Sequence, residues 1–330
     1  MNDGEIEQLK ILRDRPVFLG GHPKSGTSLL RALLDSHPQL VVYPEETVFF
    51  RRFFPQSIGL DFPAKLDLAK KTLTHIFTWQ RENQPVSQEG YPDRDYSAIS
   101  FDEVNTVMVD ILSRAGCRHE GDFLCAAILA YGKVSGLWQE GAHRWVEKSP
   151  YNEYYAKQIF AWWPEARCIY IVRDPRDNHT SYQRKHPDWS AEFFASNWKR
   201  SVDACQNNVS TYGKQRCLLI RYEDLVQKPE ETLKQVTNLL GIDDNPTLAQ
   251  PTRAGDAWKG NSMFADQFNA ISAIPLGRWK ETLDSTDAAV IEIMAADQMR
   301  GLDYEPLTAH SLLSKWRAAT WHIRRRFRKG

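Results

Sequence analysis

The chain has 330 residues, of which 42% are hydrophobic and 12% aromatic, so it can bury a substantial core. Formal net charge is zero, which argues against a nucleic-acid partner. The charge is unevenly placed: seven Lys or Arg and no acid follow Glu305, which leaves 35 basic and 42 acidic residues in the body.

No stretch approaches the roughly eighteen continuous apolar residues of a membrane span, and the charged N-terminus lacks a signal-peptide core. The five cysteines show no CxxC spacing, which is typical of reduced thiols and predicts a cytoplasmic protein. The spacing of Cys and His does not predict a metal site.

The first predicted elements surround a glycine-containing loop. Residues 17–19 form a short apolar run that predicts a buried parallel strand. The apolar positions of 29–34 share one helical face, which ends at His37-Pro38. The loop between them would aim backbone N–H groups and a helix N-terminus at one point, which favours a bound phosphate or sulfate. Its candidate anion-binding residues are Gly21, His22, Lys24, Ser25, Gly26, Thr27 and Ser28.

This loop is close to a Walker A sequence but differs at one position. Gly21 and Gly26 have the Walker spacing, yet Thr27 stands where the lysine belongs, and Lys24 is the loop's only cation. A P-loop kinase or other nucleotide-binding protein that uses ATP and Mg²⁺ would need the missing lysine. An ordinary strand–loop–helix turn is the simpler alternative.

A pair of acids follows the second predicted strand. Residues 40–42 are apolar, and Glu45-Glu46-Thr47 comes soon afterwards. In an open α/β sheet such a segment lies near the carboxyl end of its strand, where ligands bind. Either glutamate could act as a general base that takes a proton from an acceptor hydroxyl. Helix capping or solvent exposure is the alternative.

Residues 51–140 are predicted to form a helical insertion over the site. Helical patterns cover 64–74, 101–115 and 123–131, and the polar Pro/Gly stretch 83–97 is a loop. Aromatic and arginine residues near that loop suit acceptor binding or an ordinary surface loop equally well.

Lys148 follows a predicted strand end at Trp145-Val146. Ser149 is a predicted N-cap, and Pro150 the first residue of a helix through Phe160. This arrangement would place Lys148 at the edge of the sheet beside the phosphate loop, with solvent exposure as the alternative.

A further candidate pair follows the next strand. Residues 168–172 predict a buried strand, and Asp174-Pro175 starts a helix. Arg173 ends the strand, and Ser181 lies about two helical turns later. A guanidinium and a hydroxyl are good ligands for a phosphate monoester. A structural ion pair of Arg173 with Asp174 or Asp177 is the alternative.

These motifs resemble those of sulfotransferases that use 3′-phosphoadenosine 5′-phosphosulfate (PAPS). PKSGTSLL at 23–30 looks like their 5′-phosphosulfate loop, and IVRDPRD at 171–177 with Ser181 like their 3′-phosphate motif. The EET at 45–47 is similar to tyrosylprotein sulfotransferases, in which the Glu before Thr is the base, although one residue more follows His37-Pro38 here.

The resemblance implies a P-loop-like three-layer α/β fold, with a central parallel sheet flanked by helices. It implies in-line transfer of SO₃ from PAPS to a hydroxyl acceptor, with PAP as product and no metal. Glu46 would be the base, with Glu45 as alternative, and Lys24 and Lys148 would assist transfer. Arg173 and Ser181 would hold the 3′-phosphate. By position, the nucleotide contacts could include Lys259, Ser262 and Arg278, and a surface loop is the alternative there.

The remaining elements complete one predicted domain, residues 1–305. They are a helix at 189–212, a strand at 217–220, the family-like RYEDL at 221–225, and helices at 229–240 and 286–300. The basic amphipathic tail 306–330 could touch an anionic membrane, the acidic body or a partner subunit. The acceptor stays open among carbohydrate, small molecule, lipid and peptide tyrosine, and a non-catalytic PAP-binding protein is a further alternative.

Overall fold

The computed structural model describes residues 1–79, 94–260, 264, 270–307 and 309–327, and gives the backbone alone for 322–327. Five parallel strands form the central sheet in the order β2-β3-β1-β4-β5. A short antiparallel pair, β6 and β7, lies apart from it. The strands are β1 (Pro16–Gly20), β2 (Leu40–Val42), β3 (Arg144–Lys148), β4 (Arg167–Val172), β5 (Cys217–Arg221), β6 (Thr252–Arg253) and β7 (Asp256–Ala257).

Helices cover both faces of the sheet, which confirms the predicted α/β architecture. They are α1 (Asp3–Arg13), α2 (Thr27–Leu34), α3 (Phe53–Ser57), α4 (Phe62–Thr72), α5 (Phe101–Ala115), α6 (Gly121–Val134), α7 (Ala156–Trp162), α8 (Pro175–Gln183), α9 (Ala191–Tyr212), α10 (Tyr222–Gln227), α11 (Pro229–Leu240), α12 (Trp279–Thr282), α13 (Ser285–Met294), α14 (Ala296–Gly301) and α15 (Leu312–Phe327).

Because side chains alternate along each strand, the two faces of the sheet pack into two separate hydrophobic clusters. Phe18 and Trp145 point to one face and pack in a cluster with the buried side of α6. Val17 and Val146 point to the other face and pack with residues of α2 and α11. The segment from Arg51 to Glu140 therefore supplies one helical layer of the sheet through α6, in addition to residues that line the cleft described below.

Two helix predictions differ from the structure. The helix expected from Pro150 to Phe160 is replaced by a turn, a 3₁₀ segment at Asn152–Tyr155 and then α7. Ser149 does not cap a helix there, because its Oγ accepts the Val48 N–H at 2.9 Å instead and its hydroxyl donates to Glu147 at 2.6 Å. The helix expected over 286–300 is interrupted at Ala295, which separates α13 from α14.

The terminal helix α15 packs against α13. Ser314 and Ala318 are buried in that contact, and Arg317 bonds to Glu192 and Asp287. Packing on the acidic body, one of the roles considered for the tail, is therefore what its described part shows. All five cysteines are free thiols, and four of them are buried. None of the described helices combines the length and apolar character needed to cross a membrane.

Candidate active site

One cleft of about 640 Å³ opens at the carboxyl ends of the sheet strands. The chain reaches it directly after each of the five strands, as expected for an open parallel sheet. The described lining is strongly cationic, with seven Lys or Arg against two Glu: Lys24, Arg51, Arg52, Arg94, Arg173, Lys185 and Arg278 against Glu45 and Glu46. The cleft is therefore suited to a highly anionic ligand.

The loop after β1 depends on two glycines with positive φ. Gly21 has φ 129°, and a Cβ there would overlap the Ile171 carbonyl oxygen. Gly26, at φ 107°, precedes the first turn of α2, and a Cβ there would overlap the Tyr222 ring. Both positions require glycine, so this stretch of backbone lies closer to its neighbours than side chains would allow. Glu153 supports the loop by accepting the Gly21 N–H at 2.8 Å.

The predicted loop residues fall into two groups. Lys24, Gly26, Thr27 and Ser28 line the cleft, whereas Gly21, His22 and Ser25 lie behind it. His22 packs edge-on against Phe194, and burial lowers its pKa to about 4, so the ring is neutral at physiological pH. Burial, helped by nearby Lys185, lowers the pKa of Lys24 to about 8.

Glu46 lines the cleft and forms an ion pair with the buried Lys148, which does not belong to the cleft lining. Lys148 Nζ lies 2.6 Å from Glu46 Oε1 and donates to Ser28 Oγ at 3.0 Å. The Lys148 side chain is 4% exposed, whereas that of Glu46 is 40% exposed because it faces the open cleft. Burial raises the pKa of Glu46, but the charges of Lys148, Arg94 and Lys185 and the hydrogen bond from Lys148 together outweigh it, so the net pKa lies below the usual value. Glu46 is thus a carboxylate at neutral pH, oriented by a lysine.

Glu45 points into a different set of contacts. Its Oε1 accepts from the Tyr96 hydroxyl at 2.7 Å and pairs with Arg94 Nε at 3.0 Å. Arg253 Nε lies 3.8 Å from the same oxygen. Because these groups hold the Glu45 carboxylate, which is buried, Glu46 is the more accessible acid of the two.

Arg173 and Ser181 meet at the other end of the cleft, as their spacing predicted. Arg173 Nη1 lies 3.4 Å from Ser181 Oγ and 3.4 Å from the Lys24 carbonyl oxygen. The guanidinium also stacks over the Tyr222 ring, 4.7 Å from its centroid.

Within the described part of the chain, Arg173 forms no ion pair with Asp174 or Asp177. Asp174 instead pairs with Arg176 at 2.6 Å, and Asp177 accepts the backbone N–H groups of Gly277 and Trp279. The predicted structural alternative for Arg173 is therefore not what the described residues show.

The segment after β7 contributes unevenly. Arg278 lines the cleft and stacks on Phe264, 4.1 Å from its ring centroid. Lys259 is exposed and does not belong to the cleft lining. Ser262 lies outside the described residues. The Pro275 carbonyl accepts from Arg173 Nη2 at 2.9 Å, which joins this segment to the Arg173 end of the cleft.

Several site residues were not predicted from the sequence. Tyr222, in the RYEDL stretch interpreted as purely structural, packs on both Gly26 and Arg173. Lys185 comes four residues after Ser181, just beyond the end of α8, so helical spacing gave no signal for it. Arg51 and Arg52 carried no signal beyond their charge.

Comparison with known proteins places these motifs in one family. Residues 16–246 match the family model described as the sulfotransferase family. A protein-tyrosine sulfotransferase of Drosophila melanogaster is 24% identical over 72% of this chain and 40% of its own length. Protein-tyrosine sulfotransferase 1 of Danio rerio is 28% identical over 72% of this chain and 56% of its own length. The chain thus spans about half the length of these curated relatives.

Two solved structures share the fold. The sulfotransferase domain of the Synechococcus PCC 7002 olefin synthase superposes with a TM-score of 0.55 at 17% identity, covering 88% of this chain and 95% of that one. A sulfotransferase domain from the curacin biosynthetic pathway gives 0.51 at 22% identity, covering 88% and 98%.

Proposed function

The chain belongs to the sulfotransferase family, and on that premise we propose that it transfers a sulfuryl group from PAPS to a hydroxyl acceptor. Bound PAPS would supply the sulfuryl group, with PAP as the leaving group. The observation that carries the proposal is a single cationic cleft lined by Glu46, Ser28, Arg173 and Ser181. Lys148 bonds to both Glu46 and Ser28, and Arg173 lies within 3.4 Å of Ser181. The proposed acceptor class includes the phenol of tyrosine, since curated relatives are protein-tyrosine sulfotransferases.

Each residue has a role that follows from its position. Glu46 takes the proton from the acceptor hydroxyl, because it is an exposed carboxylate at the cleft surface. Lys148 orients Glu46 and, with Lys24, compensates negative charge that develops during transfer. Thr27 and Ser28 begin α2, so their N–H groups and hydroxyls can hold a 5′-phosphate at the helix N-terminus. Arg173 and Ser181 hold the 3′-phosphate and thereby favour PAPS over ATP.

The polar groups that are present fit such a ligand. Arg173 Nε is buried and has no hydrogen-bond partner among the residues the structure describes. Buried donors are normally satisfied. The contacts of Arg173 Nη1 with the Lys24 carbonyl and with Ser181 are long, at 3.4 Å, so an anion can compete for this nitrogen.

The test is calorimetric titration of the protein with PAP, ADP and ATP, each with and without Mg²⁺. We expect metal-independent binding of PAP that is tighter than binding of ADP, which lacks the 3′-phosphate. Arg173→Ala should weaken PAP binding by about 10- to 100-fold, since a hydrogen bond to a charged group contributes roughly 1.5–3 kcal/mol. The same substitution should leave ADP binding unchanged.

Arg300→Ala is the matched control, because Arg300 is an exposed arginine paired only with Asp297 among the described ion pairs. Tighter binding of ATP with Mg²⁺ than of PAP would contradict the proposal and favour an ATP-using P-loop protein instead. If Arg173→Ala weakened PAP and ADP binding equally, Arg173 would not be a ligand of the 3′-phosphate.

A further inference from the structure

A second glutamate, Glu147, is buried directly behind the Glu46–Lys148 pair. It precedes Lys148 on β3 and is 1% exposed. Its Oε1 accepts from Thr47 Oγ1 at 2.8 Å and from Ser149 Oγ at 2.6 Å. Its Oε2 accepts from Asn152 Nδ2 at 2.6 Å. A buried carboxylate with three side-chain donors is a fixed anchor, because it cannot move without leaving those donors unsatisfied.

The two hydroxyls bonded to Glu147 also hold the turn that follows Glu46. Thr47 Oγ1 accepts the Phe49 N–H at 3.2 Å, and Ser149 Oγ accepts the Val48 N–H at 2.9 Å. A hydroxyl has one proton. Because both protons are directed to the carboxylate, the oxygen lone pairs remain available for the two backbone N–H groups.

The turn needs this support because of its backbone conformation. Val48 has φ 51°, in the left-handed region, which a β-branched residue rarely adopts. Such a conformation persists only where surrounding contacts impose it. The hydrogen bonds to the N–H groups of Val48 and Phe49 are among those contacts, together with the Arg51 and Arg52 N–H bonds to the Val48 carbonyl.

Strand alternation explains how one strand serves both purposes. Successive side chains of β3 point to opposite faces of the sheet, so Lys148 reaches Glu46 on one side while Glu147 reaches Thr47 on the other. Two consecutive residues of the strand therefore hold two consecutive residues of the loop.

We propose that Glu147 is a positioning residue for sulfuryl transfer, which holds the Thr47–Phe49 turn so that Glu46 meets Lys148 at the cleft surface. The inference rests on the proposed function. Glu147 does not line the cleft, and its contacts with the turn run through Thr47 and Ser149.

The experiment compares Glu147→Gln, Thr47→Val and Thr47→Ser with the unaltered chain. The assay follows consumption of PAPS with a single-tyrosine peptide as acceptor and, separately, its hydrolysis by water. We expect kcat to fall about 100-fold in Glu147→Gln, since displacement of a reacting group by about 1 Å costs that much. Thr47→Val should lose about tenfold, and Thr47→Ser, which keeps the hydroxyl, should recover most of the rate. PAP binding by calorimetry should not change in any of them.

The pH profile separates positioning from mere stability. Lys148, Arg94 and Lys185 face Glu46 and stabilise its charge, and Lys24 also interacts with it. When the turn is released and Glu46 leaves Lys148, the acidic limb of kcat should move about one pH unit higher. Hydrogen exchange at the amides of Val48 and Phe49 should accelerate in the same variants.

Thr237→Val is the control, because Thr237 is also buried and also donates to a carboxylate, that of Asp244 at 2.9 Å, outside the cleft lining. The inference is overturned if Thr47→Val, folded and binding PAP normally, keeps kcat within twofold and an unshifted acidic limb. It is equally overturned if Thr237→Val reproduces the loss. If Glu147→Gln does not fold, the comparison of Thr47→Val with Thr47→Ser tests the inference on its own. If the unaltered chain consumes no PAPS with peptide or water, the proposed function fails first.

Discussion

Lys148 Nζ and Glu46 Oε1 lie 2.6 Å apart, and their contact joins the end of β3 to the loop after β2. The two strands are parallel neighbours, with Val42 opposite Val146, so their carboxyl ends open onto the same edge. The pair thus arises from the pairing of two strands that lie about a hundred residues apart in sequence.

We expect Glu46→Gln to lower kcat by about 10²- to 10⁴-fold, the usual contribution of a general base. PAP binding should persist, because the residues proposed to hold its phosphates are unchanged. Steady-state transfer from PAPS to a tyrosine peptide and calorimetry with PAP measure the two effects.

Glu45→Gln is the matched control, since it removes the neighbouring carboxylate. It should lower the melting temperature through loss of the Arg94 contact, with a kcat reduction of less than about tenfold. The reverse order of the two kcat losses would make Glu45 the base.

Donor binding should weaken as pH rises through about 8, where Lys24 loses its proton. Burial lowers the Lys24 pKa, so the ammonium is present below this value and lost above it. The loss should approach about tenfold in PAP affinity per pH unit, whereas PAP phosphates, with a second pKa of about 6, are already ionised. Calorimetry between pH 7 and about 9.5 measures the slope. Lys24→Arg should flatten it, and an unchanged slope would assign the titration to another group.

Gly26→Ala should destabilise the fold and abolish tight PAP binding. An alanine at this position would be held at an unfavourable positive φ, and its methyl group would overlap the Tyr222 ring. Together the two effects should lower the free energy of unfolding by about 3 kcal/mol. Gly136→Ala isolates the backbone effect, because Gly136 has φ 74° and no described atom within 4 Å of its Cβ position. That variant should lose about 1 kcal/mol in urea denaturation and bind PAP normally. Equal losses in the two variants would show that the Tyr222 contact is unimportant.

Arg317→Ala should lower the free energy of unfolding by about 2 kcal/mol, because it leaves the largely buried Glu192 without its charged partner. Arg317 Nε and Nη2 bond to the two Glu192 oxygens at 2.8 and 3.2 Å, and these bonds raise the Arg317 pKa. At a temperature well below unfolding, kcat should be unchanged. Arg300→Ala, which removes an exposed pair, should leave stability unaltered. An equal loss of stability in Arg300→Ala would mean that the effect of Arg317→Ala is not specific to the Arg317–Glu192 contact.

Local patterns predicted the parts of the site that depend on short-range chemistry. The glycine spacing around Lys24 predicted the loop, and the helix start at Pro175 predicted that Arg173 and Ser181 would meet. Glu147 was not predicted, because a lone acid in a strand gives no indication of the Thr47 and Asn152 donors that reach it from other elements. The same long-range bonds turned Ser149 from a predicted N-cap into a support for the loop.

The alternation of β3 also restricts how this protein can change over evolution. A one-residue insertion or deletion within β3 that shifted its register would exchange the faces on which Glu147 and Lys148 lie. A shift in one direction would bring the Glu147 carboxylate beside Glu46, whereas a shift in the other would place the Lys148 ammonium beside the Thr47 hydroxyl. Single substitutions along β3 can therefore be tolerated, whereas a change in the length of the strand would disrupt both glutamate contacts at once.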